Sequence, residues 1–185
     1  MSRNEKTNRL VLTALMICLL MLATFAIRVP SPFTQGYIHL GDSMIFLAVL
    51  LLGKKGGAVA GGLGSAMADM IAGYAVYAPW TFIIKGIMGF IMGWFIEASS
   101  KSKLAAVKIG GMPVIQIIGM VIAGLEMVIG YGIVDGVFAG NLLAGFLGAP
   151  FNVIQFAVGL VLATLIAMAL YKTPANKFFE YRIDK

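Results

Sequence analysis

Long apolar segments, separated by clusters of Lys and Arg, are the feature that most restricts how this chain of 185 residues can fold. A straight helix needs about 20 apolar residues to cross a bilayer, so segments of this kind predict membrane-spanning helices. Charged residues make up only 12% of the sequence, whereas soluble domains carry about 25%. We therefore predict an all-α integral membrane protein.

Six apolar windows are the predicted spans, and together they form one membrane domain over residues 1–185. The windows cover about residues 10–27, 40–52, 56–73, 80–96, 111–133 and 149–171. The second window is short for a straight crossing. Residues 134–148 are apolar but interrupted by glycines, which favours a re-entrant or amphipathic loop at that place.

The distribution of basic residues predicts the orientation. Twelve of the 14 Lys and Arg lie before the first span, after the second, after the fourth and after the sixth. Because cytoplasmic loops are enriched in Lys and Arg, this pattern predicts six transmembrane helices with both termini in the cytoplasm. The net charge of +6 follows from this topology, and we expect no nucleic-acid partner.

The third span carries small residues at helical spacing. Gly57, Gly61 and Ser65 lie four residues apart. Small residues on one face let neighbouring helix backbones approach closely inside a membrane. The pattern favours helix packing rather than a ligand-binding role for these glycines.

Five polar side chains interrupt four of the predicted spans near their external ends. They are Asp69, Lys85, Glu126, Asn152 and Gln155. At a rise of 1.5 Å per residue, each lies within about 10 Å of the external end of its span. A charge inside a membrane costs about 2.5–3.5 kcal/mol on an insertion scale, so such groups face a wet cavity or a partner.

These residues predict a polar substrate pocket that opens to the outside and that Lys85 borders. Tyr74, Tyr77, Trp80 and His39 lie in the adjoining loops and are candidates for its rim. Three structural alternatives remain open: an ion pair between Asp69 and Lys85, hydrogen bonds between helices for the two amides, and an interfacial belt for the aromatic residues.

Several other classes of site are excluded. Cys18 is the single cysteine and His39 the single histidine, so a disulfide framework and a histidine-based metal site are ruled out. The segment LLGKKGGA lacks the spacing and the hydroxyl residue of a phosphate-binding loop. We expect no catalytic activity, no metal and no cofactor.

Four motifs carry a resemblance to a known family. HLGD (39–42), GGLGSAMAD (61–69), GYAVYAP (73–79) and FIIKG (82–86) resemble the substrate-binding S components of energy-coupling-factor (ECF) vitamin transporters. They are most similar to the branch with proposed hydroxymethylpyrimidine and pyridoxine carriers. The resemblance implies a subunit in a bacterial plasma membrane that captures a vitamin or vitamin precursor from outside.

The resemblance also implies partners. S components of this family dock onto a membrane coupling subunit, the T component, which carries two ATPases. The first helix of the family often presents two alanines four residues apart to that subunit, and the matching positions here are Ala14 and Cys18. Cysteine is small enough to preserve the close approach.

Two other functions fit the same residues. A self-sufficient, proton-coupled permease for a small heterocyclic solute would use Asp69 or Glu126 as its protonatable carrier. A packing or assembly protein with a buried ion pair would bind no ligand saturably. Net uptake by the isolated protein separates the first alternative from an S component, and saturable binding separates the second.

Overall fold

The computed structural model describes residues 3–30 and 37–181, and helices dominate both ranges. The helices are α1 (Arg3–Ala26), α2 (Gly41–Ala72), α3 (Ala78–Ser99), α4 (Val114–Phe138), α5 (Leu142–Gly145) and α6 (Ala149–Tyr171). Within these ranges, five helical segments are long and apolar enough to cross a membrane: Asn4–Ala26, Gly41–Ala72, Ala78–Ser99, Val114–Phe138 and Leu142–Tyr171. The predicted helical membrane class agrees with this architecture. The count of six spans and the orientation of the termini stay predictions.

Short strands and 3₁₀ turns occupy the connections. Strand β1 (Arg28–Pro30) pairs antiparallel with β2 (Tyr37–His39), and β3 (Lys108–Ile109) pairs with β4 (Met112–Pro113). The 3₁₀ turns are Lys103–Ala106, Phe146–Gly148 and Pro174–Phe178. These segments lie in predicted loops, except β4, which lies at the start of the predicted fifth span.

Helix α2 reverses its direction at Gly53. A straight helix of its 32 residues would be about 48 Å long. However, the Tyr37 hydroxyl just before α2 donates a hydrogen bond of 2.8 Å to Asp69 near its end. Gly53 has φ 75° and ψ 180°, a conformation open essentially only to glycine. The helix therefore consists of a first leg (residues 41–52) and a second leg (residues 54–72) that pack against each other in antiparallel orientation.

The two legs touch along small residues. A Cβ added to Gly57 would come within 2.4 Å of Val49 Cγ2, and one added to Gly61 within 3.1 Å of Ile45 Cγ2. The glycine spacing of the predicted third span thus serves helix packing. The first leg is the centre of the bundle, since the side chains of Ile45, Phe46 and Val49 are fully buried.

The remaining helices surround this central leg. Helix α1 packs against the second leg at Gly64, and α3 packs against it at Gly89. Helix α4 lies between α3 and α6. Helix α6 closes the bundle against the first leg, where Gly159 meets Asp42. Residues near both termini of α2 therefore meet at one end of the molecule, which we call the β1–β2 end because both strands lie there.

The opposite end, which we call the Gly53 end, is closed by the C-terminal segment. The Glu180 amide donates to the Leu50 carbonyl at 2.9 Å, and the Tyr181 hydroxyl accepts from the Lys54 amide at 2.8 Å. The Gln116 amide nitrogen donates to the Tyr181 carbonyl at 3.0 Å. Residues 174–181 therefore tie α2 and α4 together on the side away from β1 and β2.

Of the C-terminal boundaries of the predicted spans, that of the fifth differs most from the structure. The fifth predicted span ended at Ile133, but α4 continues to Phe138, and α5 and a 3₁₀ turn then lead directly into α6. The glycines of this region suggested a loop from residue 134. Gly136 instead lets the backbone of Leu142 pack closely against α4, since a Cβ there would lie 2.8 Å from Leu142 Cα. Residues 134–138 are helical, and Asp135 belongs to α4.

The reversal at Gly53 gives a stability prediction. Gly53→Ala should lower the free energy of unfolding by about 1–3 kcal/mol, because alanine is strained at this φ and ψ. Gly86→Ala is the matched control, since Gly86 lies inside α3 and an added Cβ there meets its nearest atom at 3.7 Å. The measurement is the unfolding midpoint of the detergent-purified proteins. Equal midpoints for the two variants would contradict the proposed role of Gly53.

Candidate ligand-binding site

A polar cavity of about 40 Å³ lies at the β1–β2 end. The described residues that line it come from β2, α2, α3, α4, α6 and the connections between them: Tyr37, Ile38, His39, Asp69, Tyr74, Tyr77, Thr81, Tyr131, Asp135, Gly148, Phe151, Asn152 and Gln155. One water molecule occupies about 10–15 Å³ of such a volume, so the cavity has room for only a few water molecules. Its walls are in contact, and a ring compound enters only if they separate.

Among the acceptors of the described cavity lining, Asp69 receives the most side-chain hydrogen bonds. Its carboxylate receives the Tyr37 hydroxyl at 2.8 Å and the Thr81 hydroxyl at 2.5 Å. The Tyr131 hydroxyl lies 3.0 Å from Thr81 Oγ1. The Tyr37 ring also packs on Tyr74, with 4.7 Å between ring centroids. Asp69 is thus held in place by β2, α3 and α4 while it faces the cavity.

Asp135 is a second carboxylate in the lining. It accepts a hydrogen bond of 2.8 Å from the Tyr77 hydroxyl, and the Tyr77 ring meets Phe138 edge-on at 5.1 Å. Burial, followed by the hydrogen bond to Asp135 and the charges of Asp135 and Asp69, raises the pKa of Tyr77. This hydroxyl therefore stays protonated and remains a donor.

His39 contributes a neutral imidazole. Its Nδ1 accepts the Gly41 amide at 3.0 Å, so the ring proton of the neutral form is on Nε2. The side chain is 8% exposed. Burial, assisted by the Lys85 charge and opposed by Asp42, lowers the pKa of His39 to about 4. At neutral pH the residue offers one donor and no charge.

A buried ion pair lies beside the cavity. Lys85 Nζ is 2.5 Å from Asp42 Oδ1, and both side chains are fully buried. Asp42 Oδ2 accepts the Gln155 amide nitrogen at 3.0 Å, and Gln155 Oε1 accepts the His39 amide at 3.2 Å. The Lys85 ammonium also lies 5.5 Å from the centre of the Tyr131 ring. Residues of β2, α2, α3 and α6 are thereby locked together.

The structure brings six of the nine predicted site residues into one cavity. They are Asp69, Asn152, Gln155, Tyr77, Tyr74 and His39. Whether they contact a ligand stays a prediction. Asp69, Asn152 and Gln155 were predicted near the external ends of their spans. Tyr74, Tyr77 and His39 were predicted in the adjoining loops, and both groups line the cavity at the β1–β2 end.

The other three predicted residues lie outside this lining. Lys85 is fully buried and pairs with Asp42, so the expectations that it borders the pocket and that its alternative partner is Asp69 were both wrong. The Trp80 side chain is 42% exposed, as an interfacial residue would be. Glu126 is half-buried on α4, and its Oε2 has no hydrogen-bond partner among the described residues.

Five polar residues of the cavity lining and its adjoining ion pair were not among the predicted site residues. They are Tyr37, Asp42, Thr81, Tyr131 and Asp135. Asp42 stands in the quoted HLGD motif, three residues after His39, and a buried lysine calls for a carboxylate, so that signal was available. Asp135 was assigned to a loop by the misplaced end of the fifth span. Thr81 and Tyr131 lie inside apolar helices, and Tyr37 lies in a strand of three residues, so none of them carries a distinguishing pattern.

A family model described as the S component of an ECF-type riboflavin transporter matches residues 4–172. The "Thiamine precursor transporter HmpT" of Lactococcus lactis subsp. cremoris is 28% identical over 173 residues, which are 92% of this chain and 92% of that protein. A Pyrococcus woesei protein described as uncharacterised is 40% identical over 108 residues. That match covers 58% of this chain and 65% of the Pyrococcus protein, which is less than two thirds of its length.

Two solved structures share the fold. The S component for biotin from an ECF-type ABC transporter superposes with a TM-score of 0.74 at 19% identity, covering 97% of this chain and all of that chain. The S component of a bacterial ECF transporter gives a TM-score of 0.64 at 18% identity, covering 89% and 96%. At these identities the likeness shows the architecture alone.

The buried pair gives a prediction that needs no ligand. Lys85→Met should lower the free energy of unfolding by about 3–5 kcal/mol, because it leaves the Asp42 carboxylate buried without its cation. The double variant Asp42→Asn with Lys85→Met should recover part of that loss. Thermal unfolding of the purified proteins measures both, with the exposed Lys101→Met as control. A double variant no more stable than Lys85→Met would contradict this account.

The neutral state of His39 gives a pH dependence. Because its pKa is lowered to about 4, the folded protein binds fewer protons than the unfolded chain. The contribution of neutral His39 to the free energy of unfolding is therefore complete above pH 6.5 and declines as the pH falls towards 4. The loss amounts to about 2 kcal/mol at pH 5.

His39→Asn isolates this effect, because the Asn carbonyl can replace Nδ1 as the acceptor for the Gly41 amide. The unfolding midpoint of the wild type should fall more between pH 7 and pH 5 than that of the variant. Parallel pH profiles would show that His39 is not the group responsible.

Proposed function

Because the chain belongs to the family of ECF-type riboflavin transporter S components, we propose that it is the substrate-binding subunit of an ATP-driven importer for a small vitamin or vitamin precursor. Hydroxymethylpyrimidine and pyridoxine represent the proposed ligand class. The observation that carries the proposal is the cavity at the β1–β2 end, where polar and aromatic side chains from four long helices and β2 converge.

The chemistry of the cavity supports a small planar ligand. Aromatic rings supply contact area, and a few fixed polar groups supply orientation. Tyr37 and Tyr74 pack on each other at 4.7 Å, so they are the walls that would separate around an entering ring. A compact ring demands less separation than the three-ring system of riboflavin. The similarity to HmpT, whose name states a thiamine precursor, points to the same class.

The proposed topology places the cavity outside. Six spans, counted with the two legs of α2 as separate crossings, put both termini and the Gly53 end in the cytoplasm. Lys54, Lys101 and Lys177 then lie on the cytoplasmic side, as the excess of positive charge in cytoplasmic loops demands. Ligand is captured from the outside at the β1–β2 end.

Helix α1 supports the proposed docking to a coupling subunit. Ala14 and Cys18 are both exposed and lie four residues apart, hence on one face of α1. Leu15 and Leu22 on the same helix are also exposed, at 51% and 65%. Small residues flanked by exposed leucines allow close packing of another membrane helix. We assign this face to the T component, which would bring the two ATPases.

Reconstitution tests the proposed function directly. The purified protein should bind hydroxymethylpyrimidine or pyridoxine saturably, and in proteoliposomes it should transport neither by itself. Addition of a T component and two ATPase subunits should give ATP-dependent uptake. Gradient-driven uptake by the protein alone would instead establish the self-sufficient permease. Mass spectrometry of the molecule that co-purifies with the protein would identify the ligand independently.

A substitution in α1 should separate binding from transport. Ala14→Leu and Cys18→Leu are expected to leave ligand affinity unchanged and to reduce uptake by the complete complex at least about tenfold, because bulk on this face prevents close helix approach. Ala98→Leu is the matched control at an exposed position of α3. Loss of ligand affinity, with assembly of the complex intact, would contradict the assignment.

A further inference from the structure

The ionisable groups of the described cavity lining are mainly acidic. Its described lining contains two carboxylates, Asp69 and Asp135, and a neutral imidazole, while no Lys or Arg occurs among the described lining residues. The nearby cation, Lys85, is fully buried and is bound by Asp42 at 2.5 Å. The cationic charge expected from the sequence is therefore already paired with a third carboxylate.

The hydrogen-bond pattern shows that both lining carboxylates act as acceptors. Asp69 accepts the hydroxyls of Tyr37 and Thr81 on its two oxygens, and Asp135 accepts the hydroxyl of Tyr77. An ionised carboxylate has about four acceptor sites on its two oxygens. Each aspartate therefore has acceptor capacity beyond the hydrogen bonds described, and both face the cavity.

We propose that this site selects its ligand by charge: Asp69 and Asp135 require hydrogen-bond donors such as amino and hydroxyl groups, and the site rejects the phosphate esters of the same heterocycles. This inference rests on the proposed function and specifies the chemical form of the ligand. A phosphate brought beside two carboxylates, with no Lys or Arg in the described lining to receive it, meets like-charge repulsion.

The neutral ligand has matching groups. An aminopyrimidine alcohol offers amino and hydroxyl donors to the carboxylates, and its ring nitrogens offer lone pairs. His39, whose proton is on Nε2, supplies a donor from β2. Asn152 and Gln155, which line the cavity on α6, add amide groups. The site can form hydrogen bonds with a neutral ring that carries several donors, whereas Asp69 and Asp135 repel a phosphate group.

The test compares three matched pairs with the purified full-length protein: hydroxymethylpyrimidine, pyridoxine and riboflavin, each against its phosphate monoester. Isothermal titration measures each affinity at constant salt and pH. We expect any alcohol that binds to bind at least about 100-fold more tightly than its ester, because like-charge contacts cost several kcal/mol and each 1.4 kcal/mol is tenfold.

Two variants locate the source of the preference. Asp135→Asn and Asp69→Asn each remove one negative charge with little change of shape, and each should reduce the ratio of alcohol to ester affinity about tenfold. Glu180→Gln makes the same chemical change at the Gly53 end, where the side chain pairs with Arg9, and should leave the ratio unchanged. The wild-type ratio tests the proposal even if a variant fails to fold.

The outcomes are distinct. An ester that binds as tightly as its alcohol, or more tightly, overturns charge selection and leaves the proposed S-component function standing. An alcohol preference that survives both aspartate variants unchanged overturns the assignment to these residues. Absence of binding by all six compounds contradicts the proposed function and the charge selection with it.

Discussion

The ion pair between Lys85 and Asp42 is the contact on which the β1–β2 end depends. Both groups are fully buried at a distance of 2.5 Å. Two charges leave water only at a cost of several kcal/mol each, and their attraction offsets that cost only when their other hydrogen bonds are satisfied. Asp42 meets this condition through Gln155, and Gln155 in turn accepts the His39 amide. One pair thus fixes the relative position of α2, α3, α6 and β2.

The same pair determines the character of the cavity. Because Asp42 binds the ammonium group, Lys85 is held in a buried ion pair and lies outside the described cavity lining. Asp69 and Asp135 then remain as acceptors, held in place by hydroxyl donors from Tyr37, Thr81 and Tyr77. A buried salt bridge that contributes little net stability nevertheless sets the electrostatics of the neighbouring site.

The reversal of α2 at Gly53 makes this arrangement possible. Asp42 and Asp69 lie near opposite ends of one helical segment, and only a chain that doubles back brings both to the same end of the bundle. The close contacts of Gly57 with Val49 and of Gly61 with Ile45 hold the two legs together. Small residues in the second leg therefore affect the site indirectly, because they determine the position of the helical leg that carries Asp69.

The sequence by itself determined the helical membrane class and most helix positions. The sixth span coincides with α6, Ala149–Tyr171, because hydrophobic length and the rise per residue are local properties of the chain. Six predicted residues line the cavity, because the ends of their spans and the adjoining loops lie at the same end of the bundle. Only the tertiary structure decided that Lys85 pairs with Asp42 and that Asp135 faces the cavity. Those choices depend on the rotation of each helix about its axis and on how neighbouring helices pack, which no local pattern specifies.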